Sequence, residues 1–253
     1  MRKEPVLEKR TLHGYIIIAV TVIIFLTVGL LMLKYQVEGE KNMPFNLSEM
    51  DIISTAKSSE IKKNKKGKWE AEIYQKNDIY FYIEKNDNYK KEEVIKTVKF
   101  NNFKTVKTNE IGEVAVYRPE SGKEGYEYIY GYKKDYLASG EIIYAGREDT
   151  DVSLLEINNQ GGIIGFSIIT KNIGKYAFKE NEAVNVDGRL LNKAKIVQED
   201  IEIKASFDII IETVSGKVFK SNIEVNLPEG DIIKEGVTMT KHTNSSEFIF
   251  KRI

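Results

Sequence analysis

Residues 201–213 read IEIKASFDIIIET. Ile201, Ile203, Ala205, Phe207, Ile209 and Ile211 fall on one parity, and Glu202, Lys204, Ser206, Asp208 and Glu212 on the other. A helix, with its period of 3.6, cannot set those two groups on opposite sides, whereas a strand does so at every step. Ser215-Gly216 then supplies a turn. Phe219, Ile223, Val225 and Leu227 carry the alternation back until Pro228-Glu229-Gly230 stops it. This stretch predicts an antiparallel strand pair.

The same reading extends outward in both directions. Upstream, SLLEI (153–157) passes through Asn158-Asn159-Gln160-Gly161-Gly162 into IIGFSIIT (163–170), the spacing of a hairpin with glycine available for positive φ. Asp187 is placed to cap a short helix over GRLLNKAKIV (188–197), in which Leu190, Leu191 and Ala194 share a face. Earlier still, WEAEIYQ (69–75) and DIYFYIE (78–84) alternate around a turn expected at Lys76-Asn77. Lys90–Glu93 reads as a brief helical turn. MPFNLSEMDIIST (43–55), EVAVY (113–117) and EIIYAG (141–146) add strands, and residues 247–252 form a last alternating piece. About ten to twelve short strands, one small helix and Gly/Asn/Ser turns predict a mainly β fold, an antiparallel sandwich-like domain. It is expected as one composite unit over 43–253, with 43–150 and 151–253 as the alternative division into lobes.

The chain has 253 residues, 42% hydrophobic and 30% charged, a composition that folds. Lys plus Arg equals Asp plus Glu at 38 each, so nothing marks a nucleic-acid binder. No cysteine occurs, which removes disulfides, thiolate metal sites and cysteine nucleophiles together. His13 and His242 are the only imidazoles.

Residues 14–33, GYIIIAVTVIIFLTVGLLML, run for twenty residues without a charge. At ~1.5 Å per residue that helix spans ~30 Å, the thickness of a hydrocarbon core. Thr21 and Thr27 can return their hydroxyls to carbonyls one turn earlier, and Tyr15 and Tyr35 bracket the run where headgroups lie. The run is apolar on every face, unlike a buried soluble helix, and it lacks the small-x-small site of a removed signal peptide. It reads as a signal anchor. Arg2, Lys3, Lys9 and Arg10 before the span outnumber Lys34 and Lys41 after it. Residues 1–13 are therefore expected in the cytoplasm, 34–42 as a polar tether and 43–253 outside. The span also parts His13 from His242, so no histidine metal site forms within one subunit.

Catalytic patterns fail in turn. G-x-S-x-G is absent, and His242 sits in the polar run Thr240–Ser246. Ser59-Glu60-Ile61-Lys62 has S-x-x-K spacing, but in a basic loop where nothing would desolvate the lysine. Glu148, Asp149 and Asp151 form the densest acidic group without the calcium-loop pattern, and phosphate-binding glycine loops are missing. No catalytic, cofactor or metal residue is assigned. Two surfaces stand out instead. Tyr126, Tyr128, Tyr130 and Tyr132 share one strand face that can stack on sugars or peptides. Lys62, Lys63, Lys65, Lys66 and Lys68 crowd a stretch without apolar periodicity, expected as a loop able to meet anionic headgroups or polymers. A membrane-anchored hydrolase using carboxylates is the second reading. A pilin-like component is the third, although Ala19 stands where the pilin pattern has Glu and Gly39 and Pro44 cut short a long stalk.

With Val37–Glu40, Pro44–Leu47, Ile53–Ala56 and Asn158–Gly162, the chain resembles a group of uncharacterised single-pass membrane proteins of low-GC Gram-positive bacteria. The similarity runs over most of the length and its motifs are structural in type. It implies the topology and a bacterial envelope setting, and no activity. The short tether keeps the domain near the lipid surface, so a membrane or envelope protein or polymer is the expected partner.

Overall fold

The computed structural model describes residues 6–38, 43–109, 111–118, 140–146, 155–179, 182–243 and 248–253, with only the backbone for 6–12 and 34–38. Helix α1 runs Val6–Glu38. Within it, His13–Leu33 is long and apolar enough to cross a membrane, and none of its most apolar window is buried by protein. Thr21 donates to the Ile17 carbonyl at 2.9 Å and Thr27 to that of Ile23 at 2.8 Å, so neither hydroxyl is left for lipid to solvate. The helix continues past Leu33 through Glu38, so half of the expected tether is helical.

The remainder is mainly β, in two sheets. The strands are β1 (Phe45–Ser58), β2 (Lys62–Lys63), β3 (Trp69–Lys85), β4 (Ile95–Lys107), β5 (Glu113–Tyr117) and β6 (Ile142–Gly146), followed by β7 (Leu155–Ile157), β8 (Gly161–Phe178), β9 (Ile203–Thr213), β10 (Val218–Leu227), β11 (Val237–His242) and β12 (Lys251–Arg252). The first sheet has the order β11-β1-β3-β8-β5, with β2 beside β3; the second has β12-β10-β9-β4-β6-β7. All pairs are antiparallel except β6 with β7. Both sheets take strands from either half of the chain.

The alternating residues of β9 and β10 face inward as their parity requires: Ile203, Phe207, Ile209, Ile223 and Val225 are all buried. They meet Phe100 from the neighbouring strand β4 and Phe81 and Phe166 from across the sandwich, with the Phe166 and Phe207 rings edge to face at 5.0 Å. A second, smaller apolar cluster lies under two short helices, α2 (Arg189–Lys193) and α3 (Ile232–Glu235). Leu190, Leu191 and Ile232 there cover Ala56, Ile73 and Ile173 on the far part of the first sheet. Gly188 precedes α2 because a Cβ at that position would fall 2.1 Å from the Ile232 carbonyl oxygen.

Three local expectations change. Lys76-Asn77 is no turn: β3 passes straight through it, and Gln75 and Asn77 point into the interior, fully buried. The inward parity of β3 runs unbroken from Ala71 to Ile83, and the polar run Gln75-Lys76-Asn77 made one strand look like two; the register shift between Ile73 and Gln75 is taken up by extra residues on β8. Lys90–Glu93 forms no helical turn; Glu93 folds inward and binds Lys217 instead. The lysine stretch is not a plain loop, because Lys62 and Lys63 pair with Glu70 and Trp69 as β2.

Candidate functional site

β1 carries the chain for fourteen residues away from the anchor, a run of about 43 Å at ~3.3 Å per residue. Its first residue, Phe45, pairs with the end of β3 at Lys85, and Asn86 clamps the incoming chain. The Asn86 side-chain amide donates to the Met43 carbonyl at 2.8 Å and its backbone N–H to that of Pro44 at 2.9 Å. At the other end Ser58 leads into the lysines. The basic stretch therefore lies at the end of the first sheet opposite the anchor.

That stretch is an ordered hairpin. The Asn64 side-chain oxygen accepts backbone N–H groups from Lys66 at 2.9 Å and Lys68 at 3.0 Å, and its amide donates to Glu70 at 3.1 Å. Gly67 takes φ +74°, a left-handed conformation that lets the turn close beneath those bonds. Ser59 is bonded to β3: its hydroxyl accepts from the Glu72 N–H at 2.9 Å. Lys62 pairs with Glu60 at 3.1 Å, so the S-x-x-K spacing joins no serine to a lysine. The Lys63 ammonium sits 4.9 Å from the centre of the Trp69 ring.

Beside the hairpin runs an open groove of about 740 Å³, lined by Lys62, Lys63, Lys65, Lys66 and Lys175 with the acids Glu60, Glu70 and Glu72 among them. Lys175 arrives from β8, whose register sets it opposite Glu72, and its ammonium lies 3.4 Å from Glu72 and 3.6 Å from Glu70. Lys62 thus pairs with Glu60, and Lys175 is shared between Glu70 and Glu72. Among the described residues, Lys65, Lys66 and Lys68 have no acidic partner. Lys68 shares the turn but does not line the groove.

Of the other residues singled out by sequence, Tyr15 is exposed on α1. The Tyr35 side chain, Tyr126, Tyr128, Tyr130, Tyr132, Glu148, Asp149 and Asp151 lie outside the described residues. His242 holds Glu229 at 3.0 Å. Lys175, Asn64 and Trp69 were not legible as parts of a site. Lys175 joins through strand pairing a hundred residues away, and the other two act through a turn bond and a ring face that no spacing rule marks.

Several carboxylates and lysines elsewhere are tied into ion pairs that favour their charged forms. Burial alone would raise Glu93, but hydrogen bonds from Lys217 and Ser215 and the ammonium charge hold it below the usual carboxylate range. Asp208 is likewise buried and held low by Lys220, Asn102 and Asn222. The Lys241 hydrogen bond lowers Glu49, and Glu49 in turn raises Lys241. Every resolved carboxylate shift among the described residues is downward and every lysine shift upward. A general acid or base working near neutral pH needs the reverse. No group of three or more His, Asp or Glu able to hold a metal occurs among the described residues.

One further feature was hidden in the sequence. Ser54, Gln75, Asn77 and Thr170 occupy neighbouring positions on the inner face of the first sheet, each at most 1% exposed. Among the described residues, the Ser54 hydroxyl, the Gln75 carbonyl oxygen and the Thr170 hydroxyl have no hydrogen-bond partner. This polar row lies on the face that carries both apolar clusters. No protein-family model, curated protein or solved structure matches the chain.

Proposed function

We propose that the protein is a membrane-anchored binding module of the bacterial cell envelope, held by residues 14–33 with the β domain on the extracytoplasmic side. The observation that carries this reading is the pairing of an apolar span, uncovered by protein, with a basic hairpin at the opposite end of β1. A helix bare of protein contact needs a lipid solvent. A β scaffold that gathers Lys65, Lys66 and Lys68 on one closed turn, without an acidic partner among the described residues, offers that turn for recognition. The excess of Lys and Arg before the span sets the N-terminus inside. A carboxylate hydrolase has less support: Glu60, Glu70 and Glu72 in the groove are matched by lysines, and their side chains are from 27% to 79% exposed. A pilin-like role has none beyond the N-terminal helix. The test is a pair of reporters fused after Ile253 in a bacterial host, one active only outside the membrane and one only inside. The outside reporter alone should report; activity of the inside reporter would reverse the topology.

A further inference from the structure

The lysine hairpin gathers like charge at one turn. Lys65, Lys66 and Lys68 stand within four residues of one another on a turn that Asn64 and Gly67 hold closed, and among the described residues none of the three is in an ion pair. Like charges held together destabilise a turn unless a counter-charge relieves them. The remaining lysines, Lys63 and Lys175, continue the positive surface along the groove, where Lys175 screens Glu70 and Glu72.

We propose that this hairpin and groove bind a flexible polyanion carrying repeated phosphate groups, a polyol-phosphate type of chain, in the layer beyond the membrane. The proposal rests on the reading of the protein as an anchored binding module. Several observations select this ligand class. The site offers ammonium point charges and no arginine fork, so it suits phosphates met one by one along a chain more than a planar carboxylate gripped in two places. The groove is open and runs beside the turn, which fits a chain crossing the site better than an enclosed small molecule. Trp69, the chain's one tryptophan, is 42% exposed and already has the Lys63 ammonium over its ring, and among the described residues no series of stacking rings for successive nucleobases lines the groove. The length of β1 sets the hairpin away from the headgroups at the anchor end. Anchoring at one end and charge at the other would hold a weakly bound polymer at high local concentration.

Trp69 makes the test direct, because the single tryptophan sits at the base of the hairpin. The full chain in neutral-lipid nanodiscs is titrated with poly(glycerol phosphate) while Trp69 fluorescence is followed. A saturable change is expected, with affinity falling as salt rises, log K against log[salt] sloping by about −0.7 for each phosphate engaged. Replacing Lys65→Gln, Lys66→Gln and Lys68→Gln together should weaken binding by about tenfold or more at low salt, since each removes one ion contact. The thermal midpoint of that variant should stay within a degree or two, because these side chains bury nothing. A salt-insensitive response, equal affinity of the triple variant, or binding to anionic vesicles in preference to the polymer would each overturn the proposal. The reporter pair separates the two levels. Polymer binding with an inside topology would sink the envelope reading but leave the site, and an outside topology without binding would do the opposite.

Discussion

Thr170 hides a hydroxyl that finds no partner among the described residues, on the inner face of a sheet between two apolar clusters. Leaving such a group unsatisfied costs about 1–3 kcal/mol. Thr170→Val keeps the shape and removes the unmet hydroxyl, so it should stabilise the protein by about 1 kcal/mol, a rise of a few degrees in the melting midpoint for a chain of this size. A drop instead would mean that an internal water or ligand uses the hydroxyl. Glu93 and Lys217 give the opposite case, a pair whose carboxylate side chain is 5% exposed and is also bonded by Ser215 at 2.6 Å. Lys217→Met strands that carboxylate and should cost about 3 kcal/mol in chemical unfolding, whereas Glu93→Gln with Lys217→Met should cost clearly less. The pH dependence follows from the same groups. Glu93, Asp208, Glu212 and Glu182 all titrate below their ordinary values when folded, so they contribute stability above about pH 4.5 and lose it as pH falls through their folded values. Lys217 titrates above its ordinary value, so its share is present below about pH 10 and is lost as pH rises past it. Unfolding midpoints should be flat from about pH 6 to 9 and fall on the acid side first below about pH 4.5.

At the scale of elements, β9 and β10 were legible because their inner residues obey a period of two over ten residues or more, which no other local structure imitates. Phe207→Ala should cost about 3–5 kcal/mol, since the ring is fully buried among Phe81, Phe100 and Phe166 and its removal leaves a cavity. Denaturant titration with an unchanged slope would register that loss as a lower midpoint. β3 was less legible. Gln75, Lys76 and Asn77 have turn chemistry, and only pairing with β1 and β8 on both sides reveals that the strand runs through them. The hairpin at 62–68 escaped for a related reason: its order comes from Asn64 and from pairing with Glu70 and Trp69, not from buried periodicity. The packing of α2 on α3 is a tertiary fact that a single glycine betrays. Gly188→Ala drives a methyl into the Ile232 carbonyl and should destabilise by about 1–3 kcal/mol, with the loss read in faster amide exchange over 188–201 and 231–236.

Considered whole, the molecule is an apolar rod joined to a two-sheet domain. Helix α1 ends at Glu38 and the clamped chain resumes at Met43, so the four residues between, even fully extended, reach at most about 14 Å. The clamped end of the domain thereby stays close to the end of the apolar helix, and the basic hairpin lies at the other end of a strand about 43 Å long. The long apolar helix was plain in the sequence because a charge-free run of twenty residues has the length and composition to match the thickness of a bilayer. The polarity of the domain, basic hairpin at one end and clamp at the other, was not, since it follows from the direction and length of β1. The central claim is that this hairpin faces the outside of a membrane that the N-terminus does not cross. The chain has no cysteine, so one introduced thiol reports one position without background. Lys66→Cys and, separately, Lys9→Cys are expressed in bacterial cells and treated with a membrane-impermeant maleimide before and after permeabilisation. The account predicts labelling of Lys66→Cys in intact cells and of Lys9→Cys only once the membrane is opened; the inverse pattern would contradict it.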